Sequence, residues 1–304
     1  MGLIRTREFP SAVLELEPTV ADVGPFPRPD FLRAWWEEIQ PGGELVVVEA
    51  RQSALVLVDL GDHLEFAGDA DLTDYHSPLG TDVTAACIEL ANHLAPGNRV
   101  SLDSLTTEAT KLLEEGLVAA GLAPQTVEFD LAMILDLPTS VEDFYSFIGK
   151  RDRHELRRKR RRYEADVGPL MHQTLTGAGF GIEEFIRLHR LASGRKGKFM
   201  TSRRAGFFRR LATLPGWRVD LLERDGVATA ALFGWADARG YYLYNTCFDP
   251  ALQAASPGMV LLTSMIETAI RSGLEIFDFL KGDEEYKSRM GARPRPLHHV
   301  EVRV

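Results

Sequence analysis

Residues 241–287 read YYLYNTCFDP, ALQAASPGMVLLTSMIETAIRSG and LEIFDFLKGDEEYK. The first piece is aromatic and β-branched enough for a strand, and it stops at Asp249-Pro250, a dipeptide that starts turns. From Pro257 the apolar residues Val260, Leu261, Met265, Ile266, Ala269 and Ile270 recur at helical spacing, with Gly273 as the stop. Pro near the first turn costs little there, because its missing N–H would be unpaired anyway, and Ser256 stands where a cap belongs. Such a helix start carries free N–H groups and a partial positive charge, so it suits a phosphate. Residues 274–280 read as a short buried strand running into the polar turn Lys281-Gly282-Asp283-Glu284.

Strand, phosphate-ready turn, helix, strand and polar turn in this order resemble the cofactor half of the GNAT acyltransferases. Their turn is Q/R-x-x-G-x-G/A, and Gln253-Ala254-Ala255-Ser256-Pro257-Gly258 matches it except for Ser256 in place of the first Gly. PGM before an apolar helix, followed by FDFLKGDEEYKSRMG, resembles the acetyltransferase-like family associated with cellulose and exopolysaccharide biosynthesis. That family is related to the Fem-type aminoacyl transferases. The resemblance implies an α/β (α+β) chain of tandem GNAT architecture, with two mixed sheets flanked by helices. It further implies a degenerate first copy over residues 1–147 and a cofactor-binding copy over residues 148–304.

The composition agrees with a soluble globular protein: 304 residues, 45% hydrophobic and 26% charged. No apolar run approaches the ~18 residues of a membrane helix. Residues 1–10 have no apolar core that would make a signal peptide, so the expected compartment is the cytoplasm, without membrane attachment. Cys87 and Cys247 cannot form a disulfide framework, and neither has a metal-ligand partner at suitable spacing. No metal site is expected.

Along the first half the pattern predicts a helix at 31–39, strands at 44–50, 54–60 and 63–67, a helix at 82–94, a strand at 99–102, a helix at 107–121 and a strand at 125–137. The second half predicts a strand at 170–175, a helix at 182–192, a polar loop at 194–202 and a helix at 204–214. Strands at 218–223 and 228–235 then lead into the strand at 241. Between the halves, residues 150–164 read KRDRHELRRKRRRYE, with nine Lys or Arg up to Tyr163 against Asp152 and Glu155. The segment is therefore about +7 within a chain of net −9. Its helix is either a solvated face paired with the acidic body or a contact for a phosphorylated partner, such as a nucleotide-linked substrate, coenzyme A or transfer RNA; duplex nucleic acid would be repelled by the rest of the chain.

Acyl transfer from a thioester needs a deprotonated nucleophile, donors for the oxyanion and an acid for the thiolate. The GNAT resemblance puts Tyr286 in the place of that acid, the alternative being a structural tyrosine. Glu284, then Asp283, are base candidates, or else they cap the next helix and pair with Lys281 and Lys287. The turn Gln253, Ser256, Pro257, Gly258 and Met259 is expected to hold an acyl-coenzyme A, with the Asn245 backbone giving an oxyanion donor. Tyr244, Asp278, Lys281, Lys287 and Lys198 are candidate acceptor contacts, the alternatives being core packing for Tyr244, pairing with the nearby acids for Lys287 and plain solvent exposure for Lys198. Cys247 has no basic partner in sequence, so direct attack by an amine on the thioester is expected rather than a covalent intermediate. The expected partner is a small or peptide amine in a cleft between the copies of a monomer or homodimer. An aminoacyl-tRNA donor and a non-catalytic module with a decayed site are the alternatives.

Overall fold

The structure, a computed structural model, describes residues 2–304. Contacts divide the chain into two compact units: the first ends at Ala132 and regains Arg295–Val304, and the second is Met133–Pro294. The elements run β1 (Gly2–Thr6), α1 (Pro29–Ile39), β2 (Glu44–Ala50), β3 (Ser53–Asp59), β4 (Leu64–Phe66), β5 (Leu79–Gly80), α2 (Val83–His93), β6 (Arg99–Leu105), α3 (Thr107–Ala119) and β7 (Gln125–Asp136). There follow α4 (Val141–Phe147), α5 (Lys150–Asp166), β8 (Met171–Leu175), α6 (Phe180–Leu191), α7 (Gly194–Phe199), α8 (Ser202–Ala212), β9 (Trp217–Arg224), β10 (Val227–Ala236) and β11 (Gly240–Phe248). A 3-10 turn, Pro250–Ala255, leads into α9 (Pro257–Arg271), β12 (Ile276–Lys281), α10 (Glu285–Arg289) and β13 (Arg293–Arg303).

In the first unit β1 to β4 form an antiparallel meander, β6 runs parallel to β4, and β13 lies antiparallel to β6. Val46, Val48, Leu55 and Leu57 on the meander pack with Leu90 of α2, Leu113 and Leu117 of α3, and Val300 and Val302 of β13. Each such side chain removed from water contributes roughly 1.5–3 kcal/mol. α2 begins under Asp82, whose carboxylate accepts the Ala85 N–H at 3.0 Å and pairs with Arg51 at 2.8 Å. That N–H bond and the Arg51 charge hold the Asp82 carboxyl below its ordinary pKa. A fixed negative charge thus occupies the end of the helix that would otherwise attract an anion.

The second unit repeats this order. β8, β9, β10 and β11 are antiparallel neighbours, and β12 returns parallel to β11 after α9. β10 is buried from Ala228 to Trp235, as expected of a strand covered on both faces; α6 and α9 both pack on it. Phe185, Phe208, Phe233, Trp217 and Tyr244 form its aromatic core, with ring centroids 5.0–6.2 Å apart. Each unit is therefore a mixed α/β layer structure, in line with the predicted fold class.

Most predicted elements form within two or three residues of their expected limits. The polar loop expected at 194–202 is different: its first part is the short helix α7, with Phe199 packed on His189 and under Arg204. At Gly197 any Cβ would collide with the Ala192 carbonyl oxygen, so the residue serves close packing rather than looseness. β1 and α4 were not anticipated. Among the described residues no helix is long and apolar enough to cross a membrane.

Candidate functional site

β11 and β12 pair at only three positions, Gly240 with Ile276, Tyr241 with Phe277 and Tyr242 with Asp278. Beyond them β11 continues along β10 to Phe248, while β12 runs on to Lys281 without it. Two parallel strands that part in this way leave an opening between them. β11 also carries a bulge: Phe233 pairs with Asn245 and Gly234 with Leu243, so Tyr244 is the extra residue. The bulge reverses the facing of the last residues of β11 relative to a regular strand.

At the open end lies a cleft of about 370 Å³ lined by Thr246, Phe248, Gln253, Ser256, Gly258, Met259, Leu262 and Tyr286. The start of α9 forms one wall. Ser256 has φ 53° and ψ 47°, a left-handed conformation that glycine adopts more easily, and its side chain makes no capping bond. The expected serine cap is thus replaced by a serine that turns the backbone. Pro257, buried at the first helical position, has no N–H. Ser256 N–H donates to Gln253 O, and Met259 and Val260 N–H both donate to Ser256 O. Of residues 256–260, only Gly258 keeps an N–H without an acceptor among the described residues.

Tyr286 forms the opposite wall. Its ring meets Phe279 edge-on, 6.2 Å between centroids, and its hydroxyl has no hydrogen-bond partner among the described residues. Burial, aided by the nearby Glu284 charge, pushes its pKa up to about 12, so at neutral pH it is a hydrogen-bond donor. Of the residues singled out in the sequence, Gln253, Ser256, Gly258, Met259 and Tyr286 come together here. Thr246, Phe248 and Leu262 join them unforeseen.

The remaining candidates lie elsewhere. Asn245 faces α6, where its Oδ1 is 3.1 Å from Nε2 of buried His189, an imidazole that burial holds neutral with a pKa lowered to about 4. Tyr244 stacks on Phe208. Cys247 is buried, its thiol pushed up by desolvation, which removes it as a nucleophile. Asp278 is fully buried and accepts the Leu280 N–H at 2.7 Å, so it shapes the strand end rather than contacting an acceptor. Lys287 is buried as well. Its Nζ donates to Lys281 O at 2.7 Å and Gly282 O at 3.0 Å, reaches Leu280 O at 3.4 Å and pairs with Glu284 at 2.9 Å. It therefore clamps the turn after β12 instead of reaching for substrate. Lys281 contributes a carbonyl to that clamp. Burial would raise the Glu284 pKa, but the Lys287 hydrogen bond and charge outweigh it and hold the carboxyl below its usual range, which makes Glu284 a weak base. Asp283 and Lys198 are exposed and line no wall of the cleft.

Gly258 offers a direct check on the cleft. A Cβ there would lie 3.2 Å from Phe248 Cδ1, and the residue has ordinary helical backbone. Gly258→Ala should raise helix propensity by up to ~1 kcal/mol while narrowing the cleft. Melting temperature is expected to hold or rise while affinity for a cleft ligand falls at least about tenfold, a loss of ~1.4 kcal/mol. Unchanged affinity would move the ligand away from this wall.

A meander of antiparallel strands, a helix, and a parallel strand that parts from the meander at the helix tip define a GNAT-type acyltransferase fold. Residues 150–288 match the model of the acetyltransferase (GNAT) domain. No curated protein matches the chain. Among solved structures, the C-terminal domain of a putative lysylphosphatidylglycerol synthetase from Agrobacterium fabrum is similar at 13% identity and TM-score 0.58, covering 90% of this chain and 86% of that one. L-PGS from Bacillus licheniformis is similar at 14% identity and TM-score 0.61, with 93% and 94% covered. FemX is similar at 11% identity and TM-score 0.57, with 88% and 90% covered. At these identities the likeness is one of fold.

Proposed function

We propose that the second unit is an N-acyltransferase that moves an acyl group from acyl-coenzyme A to an amine. The observation that carries this reading is the cleft where β11 and β12 part, with the α9 start on one wall and the Tyr286 hydroxyl on the other. The pantetheine arm enters between the strands, and the diphosphate lies at Gly258. The amine nitrogen attacks the thioester carbonyl carbon, the C–S bond breaks, and the departing thiolate is met by the Tyr286 hydroxyl, which gives up its proton as the thiol forms. None of the described lining residues is a carboxylate or an imidazole, so the amine enters neutral, the proton it sheds as the amide forms passes to solvent, and solvent restores the Tyr286 hydroxyl. The first unit, which has the same element order but a helix start occupied by Asp82, is read as a degenerate copy of the same fold.

Calorimetric titration with acetyl-coenzyme A and longer acyl forms tests the donor, and thiol release in the presence of a panel of amines tests the transfer. No binding at millimolar donor ends this reading. A second reading, an aminoacyl-tRNA donor, is favoured by one observation: Gly258 alone offers a free N–H where a diphosphate would be held, while α5 beside it is rich in arginine. A gel shift with charged tRNA that weakens steeply with salt would support that donor.

A further inference from the structure

We infer that the cavity between α5 and α9 is the subsite for a phosphate ester of the donor remote from its acyl end, the 3′-phosphate of coenzyme A. The inference rests on the donor reading above. The cavity, about 180 Å³, has Arg157, Lys159 and Arg160 on the α5 wall and Met259, Thr263 and Ser264 on the α9 wall. Met259 also lines the donor cleft, so the two spaces adjoin at the first turn of α9. α5 packs along both α9 and the 3-10 turn before it.

The charges at this place do not cancel. Glu267, at the end of the cavity, is the only carboxylate among its described lining residues. It is already engaged by Tyr145 Oη at 2.8 Å and Arg271 at 3.0 Å, with Arg160 at 3.7 Å. Lys159 is 3.9 Å from Glu155 and Arg160 is 3.4 Å from Glu164, distances at which surface pairing is weak. Arg157 has no carboxylate at ion-pair distance among the described residues; its guanidinium lies 5.6 Å from the centre of the Tyr145 ring, which steadies it as a planar donor. Three cations therefore surround a small, partly enclosed space with the Ser264 hydroxyl opposite, the Thr263 hydroxyl being spent on Met259 O at 2.8 Å, a donor set that suits a phosphate dianion.

The same arrangement explains how a donor is held when the turn before α9 is poor in N–H groups. In this chain Pro257 lacks one, and those of Ser256, Met259 and Val260 are spent on the turn itself. Side chains of α5 supply what the backbone does not. Part of the helix charge, which as a bare surface would be a solvated face, thereby acquires a defined ligand.

The test compares coenzyme A with 3′-dephospho-coenzyme A on the full chain. Wild type should bind coenzyme A at least about tenfold more tightly, one to two charge-assisted hydrogen bonds' worth. Arg157→Gln/Arg160→Gln should lose that preference and leave dephospho-coenzyme A within about twofold, while Arg151→Gln/Arg161→Gln, on α5 but outside the cavity, should change neither. Because Arg160 also touches Glu267, Arg157→Gln alone is measured with a melting curve; it should keep the wild-type melting temperature and lose part of the preference. Equal wild-type affinity for both ligands, or equal weakening of both by the cavity variants, overturns the inference and leaves the donor reading standing. Binding of neither ligand removes the donor reading and the inference with it. Binding only of a CCA-ended RNA hairpin, dependent on Arg157 and Arg160, would assign the cavity to an RNA phosphodiester instead.

Discussion

Tyr286→Phe is expected to lower turnover by roughly 10–100-fold while leaving acyl-coenzyme A affinity within about twofold and the melting temperature unchanged. The range follows from the acid's environment. General acids contribute ~10²–10⁴ when their pKa lies near the working pH. Burial pushes Tyr286 up to about 12, well above a thiol's ordinary value of about 8.5, so full proton transfer is uphill and the lower part of that range applies. What the raised value secures is the donor: the hydroxyl stays protonated, and a fixed hydrogen bond to the developing thiolate stabilises the transition state. The sign of the pH dependence follows. An acid must be protonated to act, so wild-type turnover should persist through pH 10, where an ordinary tyrosine is half ionised, and decline only toward pH 12. Unchanged turnover in the Phe variant would take Tyr286 out of the mechanism, and a parallel loss of donor affinity would make it a binding contact.

The residues that could be read from the chain are those whose role depends on local spacing. The α9 helix, with Pro257 at its start and apolar residues at 3.6-residue intervals, needs no knowledge of its neighbours, while five of the cleft residues came from the GNAT resemblance of the turn before it and of Tyr286. The facing of the strand wall is not legible in the sequence, because alternation assumes a regular strand. The bulge at Tyr244 turned Tyr244 into the aromatic core and Asn245 toward His189, and left Thr246 and Phe248 facing the cleft. Lys287 and Glu284 sit in the charged run DEEYKSR, which by composition belongs to solvent. Only the path of the turn, which brings three carbonyl oxygens to one point, makes burial of an ammonium group favourable. The loop expected at 194–202 failed for a related reason: its Gly and Lys residues suggest mobility, but Phe199 has an aromatic neighbour to pack on that only the tertiary fold supplies.

Lys287→Met should cost roughly 3 kcal/mol, because removing a buried charge strands the groups it served. On the scale of a unit of this size that is a fall in melting temperature of roughly 6–12 °C. The carbonyl oxygens of Leu280, Lys281 and Gly282 decide the magnitude, since all three converge on Nζ. The Glu284 carboxylate is largely exposed, and its pairing with Lys287 adds little by comparison. The turn cannot relax easily to recover the loss: Leu280 is already held at φ 62°, a left-handed conformation uncommon for a branched residue, by the Asp278 carboxylate on its N–H. Methionine keeps the volume of the lysine stem, so packing alone would leave stability nearly intact, and a melting temperature within 1–2 °C of wild type, on the order of 0.5 kcal/mol, would show that the clamp contributes little. The acid limb separates the small ionic part. Glu284 has a depressed pKa in the fold, so its contribution is present above its ordinary value of 4.5 and is lost as pH falls through the lower folded value. The gap between wild type and Lys287→Met should therefore narrow only slightly below pH 4.5, because the carbonyl contacts, which make up most of it, do not titrate. Activity should fall with stability in this variant, since Tyr286 is the residue beside Lys287 on the same short helix. Loss of turnover together with loss of stability in Lys287→Met, against loss of turnover alone in Tyr286→Phe, distinguishes the residue that holds the wall of the cleft from the residue that acts in it.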